Sequence, residues 1–195
     1  QAPAFAPFEP PLGPQPNNAS FYMPQQVTLA MKEKVFSLSG DDFTVQTADG
    51  AGVLKCKGKT LSIRDRKVFT DMQDNEIFTI KNKMLSLHKS FYGESPQGHN
   101  FEVKGHFKLM GSKSTVEFQN ASDSSTVELS VKGDWIDRSA KITLGDRPVA
   151  EIARKFLNVR EIFGGQQTYY VTVAPNVDLS LIAAICVCLD ERQNE

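Results

Sequence analysis

The chain separates into two unlike patterns of hydrophobic and polar positions. From Val27 to Val173, short runs alternate apolar with polar residues and are broken by turn-forming residues. Lys34–Ser39, Phe43–Thr47, Val53–Lys57, Leu61–Ile63, Lys67–Thr70 and Glu76–Ile80 make up the first half, and Met84–His88 continues it. Phe101–Lys104, Ser114–Phe118, Ser125–Val131, Lys132–Trp135, Ala140–Leu144, Val149–Ala153 and Thr168–Val173 follow. A period of two puts the apolar members of each run on one face, which is the pattern of a half-buried strand. Asp49-Gly50 is a strong hairpin signal, and Gly40-Asp41-Asp42, Arg64-Asp65-Arg66, Asp74-Asn75, Gly145-Asp146 and Gly164-Gly165 mark further turns. The stretch Gly93 to Asn100, with Gly93, Pro96 and Gly98, reads as a loop in the middle of the fold.

The second pattern runs from Asp178 to Glu191, D-L-S-L-I-A-A-I-C-V-C-L-D-E. On a helix, its apolar positions leave no polar face, and only Ser180 interrupts them. Such a helix cannot lie on a surface. It falls well short of the roughly 20 residues needed to cross a bilayer. It is therefore expected to be buried on all sides by its own protein, with Asp178 or Asn176 as N-cap. Asp190 and Glu191 should mark where the chain returns to water. Burying each large side chain should stabilise the fold by roughly 1.5–3 kcal/mol, so a charge at Ile182 or Ile185 should unfold it.

Ten or more strands with no long amphipathic helix between them imply an all-β barrel or sandwich. Adding the all-apolar helix narrows this to a closed barrel with the helix threaded through it. Residues 25–195 form this one domain. Residues 1–24 hold seven of the ten prolines and read as a flexible, Pro-rich N-terminal arm. Pro10-Pro11 and Pro14-x-Pro16 within it have the character of an SH3 or WW ligand, against the simpler reading as a plain tail.

Composition removes several function classes. A net charge of −1 and a pI of about 6.4 give no global basic field to attract nucleic acid. The three cysteines, an odd number, do not suggest a disulfide framework, and buried reduced thiols suit a reducing compartment. Asn18-Ala19-Ser20 and Asn120-Ala121-Ser122 are glycosylation tripeptides of the kind that chance supplies. His88, His99 and His106 lack metal-ligand spacing, so no metal is expected. There is no G-x-S-x-G, no phosphate-binding G-x-x-x-x-G-K and no calcium loop. A helix-filled barrel also leaves no interior site, and neither an enzyme nor a cofactor is expected.

Basic clusters are the remaining chemical signal. Lys55, Lys57 and Lys59 alternate along one strand; Arg64, Arg66 and Lys67 follow; Lys81, Lys83 and Lys89 flank another strand. Lys104, Lys108 and Lys113 form a further group. Lysine-rich exposed strands are also a common guard against edge-to-edge aggregation.

Several stretches resemble the LURP-one-related family, which belongs with the tubby-like and phospholipid scramblase-like proteins. They are Tyr22-x-Pro24, Glu33-Lys34-x-x-Ser37-Leu38-x-Gly40-Asp41-x-Phe43, the Asp49-Gly50 hairpin and Lys83-Met84-x-Ser86-x-His88. Val131-Lys132-Gly133-Asp134-Trp135, Ala150-Glu151-Ile152 and the Tyr170-Val171 region continue the match. The most specific stretch is Val173-x-Pro175-Asn176-Val177-Asp178, which leads straight into the apolar helix. The resemblance spans residues 22 to 191 and implies a tubby-like closed antiparallel β-barrel of about 12 strands around a buried C-terminal helix. That agrees with the pattern reading. It also implies a protein without established catalytic activity.

On the tubby side of the resemblance, a basic-x-basic pair and a following Leu-Gly-Thr-Lys-like segment bind phosphoinositide head groups. Here Lys104-Gly105-His106 and Met110-Gly111-Ser112-Lys113 correspond, with His106 standing where the pattern has Arg. The resemblance therefore implies a head-group site at Lys104, His106, Lys108 and Lys113. The expected function is a non-enzymatic binding or adaptor module for phosphoinositide or another anionic phospholipid, cytoplasmic and peripheral at the plasma membrane. The alternative is a stress- or defence-related protein-interaction scaffold with no lipid ligand, using the Pro-rich arm or a barrel face. An active scramblase is disfavoured, because an internal helix leaves nothing to span a membrane.

Overall fold

The structure, a computed structural model, describes residues 4–16, 20–32, 43–59, 66–83, 90–106, 112–135, 137–154 and 168–193. Twelve strands, each antiparallel to its neighbours, close into one barrel: β1 (Val27–Lys32), β2 (Phe43–Thr47), β3 (Gly52–Lys59), β4 (Arg66–Thr70), β5 (Glu76–Lys83), β6 (Ser90–Glu94), β7 (Phe101–His106), β8 (Ser112–Gln119), β9 (Thr126–Asp134), β10 (Ser139–Leu144), β11 (Arg147–Ala153) and β12 (Thr168–Val173). Consecutive strands pair in order, and β1 closes the ring on β12 from Val27↔Val173 to Lys32↔Thr168. Closure gives every described strand a partner on both sides, which leaves no open edge among them to template pairing with another chain.

The helix α1 (Leu179–Gln193) fills the barrel. Leu181, Ile182, Ala183, Ala184, Ile185, Cys186, Val187 and Cys188 have no solvent exposure. Alternating inward residues of the strands meet it: Val127, Leu129 and Val131 of β9 are buried, whereas Thr126 and Glu128 face out. Phe78 lies tilted against Phe69, with ring centroids 4.9 Å apart, and meets Phe101 edge to face at 5.1 Å. The period of two in the strands and the all-round apolar helix are thus two halves of one core.

Some local expectations shift. Gly93 belongs to β6 instead of to a loop, and the Phe101 ring packs where its Cβ would be, 2.2 Å away. It is a packing glycine. The expected strands at Lys34–Ser39, Leu61–Ile63 and Met84–His88, the residues Asn18 and Lys108, and the Gly164-Gly165 turn lie outside the described residues.

Two expectations about the ends of the chain are corrected. Asp190 does not return to water, since it is 2 % exposed and bonded to three buried side chains. The Pro-rich segment expected as a flexible arm is packed across one end of the barrel in residues 4–16 and 20–24. Phe8, Leu12, Phe21 and Tyr22 are buried. The amide of Phe8 donates to Pro175 O, that of Leu12 to Asn176 O, and that of Asp178 to Leu12 O, while Asn176 N reaches Met23 O and Leu179 N reaches Phe21 O. The segment Pro175–Asp178 is therefore sandwiched between the two limbs of the arm. Arg147 closes the outside, its guanidinium 4.0 Å from the Phe8 ring centroid.

Candidate functional site

The two ends of the helix hold the buried polar groups. At its N-terminus, the Asp178 carboxylate accepts the amides of Ser180 (2.9 Å) and Leu181 (3.4 Å) and the Ser180 hydroxyl (2.6 Å). These are the orphan donors of the first turn, so Asp178 is the N-cap. It also accepts Gln15 N from the arm. Burial pushes its pKa up to about 6, against the lowering effect of those hydrogen bonds. Burial, with Asp178 nearby, also keeps the Tyr22 phenol protonated, and it donates to Gln15 O at 2.6 Å.

At the other end, Asp190 pairs with Arg138 (2.8 Å) and accepts hydrogen bonds from Trp135 Nε1 (3.2 Å) and the Tyr169 hydroxyl (2.7 Å). The Arg138 guanidinium lies 4.7 Å from the Trp135 ring centroid and also donates to Trp135 O. Burial holds the neighbouring Cys186 thiol well above its ordinary pKa, so it stays protonated. Trp135 packs edge to face against Tyr169, with ring centroids 5.7 Å apart. These are joints of the fold, not open sites.

A cleft of about 260 Å³ opens between β1 and β2, where pairing is limited to Leu29↔Thr47 and Ala30↔Gln46. Met31, Phe43 and Val45 line it, with Lys32 the one charged lining residue among the described residues. Among the described residues, no group of three or more His, Cys, Asp or Glu could hold a metal ion.

Charge is organised on the outer wall of β7–β10. The register places Glu102, Glu117 and Glu128 side by side on three successive strands. Thr115, Ser130 and Thr143 form the next outward row, reached from Lys104 on β7. The row beyond holds Lys113↔Lys132↔Lys141, with His106 at the register position opposite Lys113. All three of these lysines are exposed. Of the residues the sequence singled out, Lys104 and Lys113 are thus brought to one wall but in different settings. Lys104 lies 3.8 Å from Glu102 and 3.7 Å from Glu117 in ion pairs, whereas Lys113 has no ion pair among the described residues. Lys108 is outside the described residues. The sequence reading missed Lys132 on β9, the strand paired with β8, and Lys141 on β10, the strand paired with β9.

The model of the LURP-one-related family matches residues 27–190. Among curated proteins of Arabidopsis thaliana, the chain is 30% identical to LURP-one-related 15 over 180 residues, covering 88% of this chain and 82% of that protein. It is 28% identical to LURP-one-related 10, covering 90% and 95%, and 27% identical to LURP1, covering 89% and 87%. A crystal structure of an Arabidopsis thaliana protein shares the fold at a TM-score of 0.61 and 21% identity, covering 93% of this chain and 99% of that one.

Proposed function

The chain belongs to the LURP-one-related family, and from that premise we propose that it is a non-enzymatic binding module whose ligand is an anionic phospholipid head group, of the phosphoinositide kind. The observation that carries this reading is where recognition can happen. The helix fills the barrel interior, so a ligand must be met on the outer wall, and the β7–β10 wall bears an exposed basic region including Lys113. Binding there would be electrostatic and weak per contact, about 1 kcal/mol for each lysine near an anionic surface. The tubby-like comparison made from the sequence points to the same wall. No helix among the described residues is long and apolar enough to cross a membrane, so membrane contact would be peripheral. The buried thiols Cys56, Cys186 and Cys188, none of them in a disulfide, suit a reducing compartment such as the cytoplasm.

Co-sedimentation with liposomes, with and without phosphoinositides, at low and physiological salt, tests the reading. Attachment that weakens with salt is expected. No attachment at either salt would sink it and leave the alternative, a stress- or defence-related protein-interaction scaffold. In that case the partner would have to meet the barrel wall, because Phe8 and Leu12 of the Pro-rich arm are already buried.

A further inference from the structure

We propose that the transverse row Lys113–Lys132–Lys141 on β8–β9–β10 is a phosphate-binding strip that seats a multiply phosphorylated lipid head group at a membrane surface. The proposal rests on the reading of the chain as a lipid-binding module and locates its site away from Lys104.

The first argument is the pairing itself. Lys113 faces Lys132, and Lys132 faces Lys141, in direct antiparallel register. Side chains so placed stand about 5 Å apart, and like charges directly opposite one another are unfavourable. Other like-charged positions in register on the barrel, Arg66↔Lys81 and Glu102↔Glu117↔Glu128, have counter-ions beside them. Lys55 and Lys57 share Asp74, Lys81 pairs with Glu94, and Lys104 pairs with Glu102 and Glu117. The three lysines of the row have no ion pair among the described residues. Glu151 stands in register with Lys141 on β11 without forming one.

The second argument is the neighbourhood. Two residues along each strand, Thr115, Ser130 and Thr143 present a parallel row of half-buried hydroxyls. Hydroxyl donors beside ammonium groups suit phosphate oxygens, which accept several hydrogen bonds each. The glutamate row Glu102–Glu117–Glu128 lies four residues from the lysines along β8 and β9, about 13 Å away. That exceeds the Debye length of about 8 Å at physiological salt, so this glutamate row does not cancel the lysines; the nearer carboxylates are Glu151, in register with Lys141, and Asp134, two residues along β9 from Lys132. The glutamate row does repel a second anionic contact, and so sets which end of the wall meets the membrane. Lys104, held between Glu102 and Glu117, belongs to the acidic side.

The third argument concerns the source of the phosphate. The three lysines are exposed on a convex wall, and the described cleft lies elsewhere, between β1 and β2. A convex strip does not enclose and desolvate a small free anion, but it fits a surface studded with phosphates.

The test compares vesicles of phosphatidylcholine alone, with phosphatidylserine, and with a phosphatidylinositol bisphosphate at matched charge. Variants are Lys132→Gln/Lys141→Gln and, separately, Lys104→Gln, all checked for unchanged thermal unfolding. We expect preference for the bisphosphate vesicles, a loss on the order of thirtyfold in the double variant, a shallower salt dependence, and little change for Lys104→Gln. Wild-type binding that survives in the double variant but is lost in Lys104→Gln would overturn the strip while leaving the lipid-binding reading intact. Equal binding to phosphatidylserine vesicles would overturn head-group phosphate as the ligand. Inorganic pyrophosphate shifting the lysine NMR signals without any vesicle binding would replace the membrane by a soluble phosphate. Absence of wild-type binding to every vesicle would remove both proposals together.

Discussion

Arg138 donates to Asp190 at 2.8 Å, and both side chains are almost wholly buried. This pair ties the C-terminal end of the threaded helix to the turn between β9 and β10, as Asp178 ties its N-terminal end to the arm. Removing one partner leaves an uncompensated charge in a low-dielectric setting. Arg138→Ala should therefore cost about 3–5 kcal/mol in urea unfolding. Arg138→Lys should recover little, because the planar fork also holds Trp135 O and stacks on its ring. A loss below about 1 kcal/mol would mean that water reaches the cluster.

Asp178 makes stability depend on pH in an unusual direction. Its folded pKa is raised from 3.8 to about 6, so the folded state binds the proton more tightly than the unfolded state. Its contribution is fully present below about pH 4 and is lost as pH rises through about 6. The difference is of order 3 kcal/mol at about 1.4 kcal/mol per unit. Exposed carboxylates with lowered pKa values, such as Asp74 and Glu94, push the other way. Comparison with Asp178→Asn isolates the term, since Asn caps helices equally well. The stability gap between wild type and variant should shift toward the wild type as pH falls from 7 to 4. A gap that does not move with pH would place the carboxylate in contact with solvent.

The arm should behave as part of the core. Leu12→Ala removes a buried side chain from between the arm and Val177 and should cost about 2–4 kcal/mol. Thermolysin should spare residues 5–16 in the native wild type and cut there in the variant. Rapid cleavage of the native wild type in this segment would restore the reading as a loose tail.

Asn120 should not accept a glycan once folded. It is 3% exposed; its amide nitrogen donates to Pro11 O, Ser122 and Asp123, and its oxygen accepts Gly13 N at 2.8 Å. Native protein offered to an oligosaccharyltransferase should show no mass increase at this site. Asn120→Ala should lower stability by about 1–3 kcal/mol by stranding the Gly13 amide.

Gly93→Ala should destabilise by about 1–3 kcal/mol, because the new methyl meets the buried Phe101 ring. Gly98→Ala is the control for space: nothing lies within 4 Å, and only its φ of +81° is strained. Thermal unfolding of the pair should therefore show the larger loss at Gly93 only if crowding outweighs backbone strain.

Much of the fold was legible because it is written in local periods. Strands such as Phe43–Thr47 and Thr168–Val173 and the helix after Asp178 could be read directly. The arm was misread because proline content excludes regular structure but does not exclude packing. Its apolar residues Phe8 and Leu12 were the available signal. Asp190 was misread for a related reason. An acidic residue at a helix end belongs in water unless a cation comes to meet it, and Arg138 comes from another hairpin.

The candidate site shows the same division. The sequence by itself determined which faces are oily, where the chain turns, and that one helix must be swallowed whole, since these follow from side chains spaced along a single segment. Only the tertiary structure decided that Glu117 engages Lys104 and that Lys113, Lys132 and Lys141 stand abreast. Those neighbours are set by cross-strand register, and a slip of one residue would send each of them to the opposite face of the barrel wall.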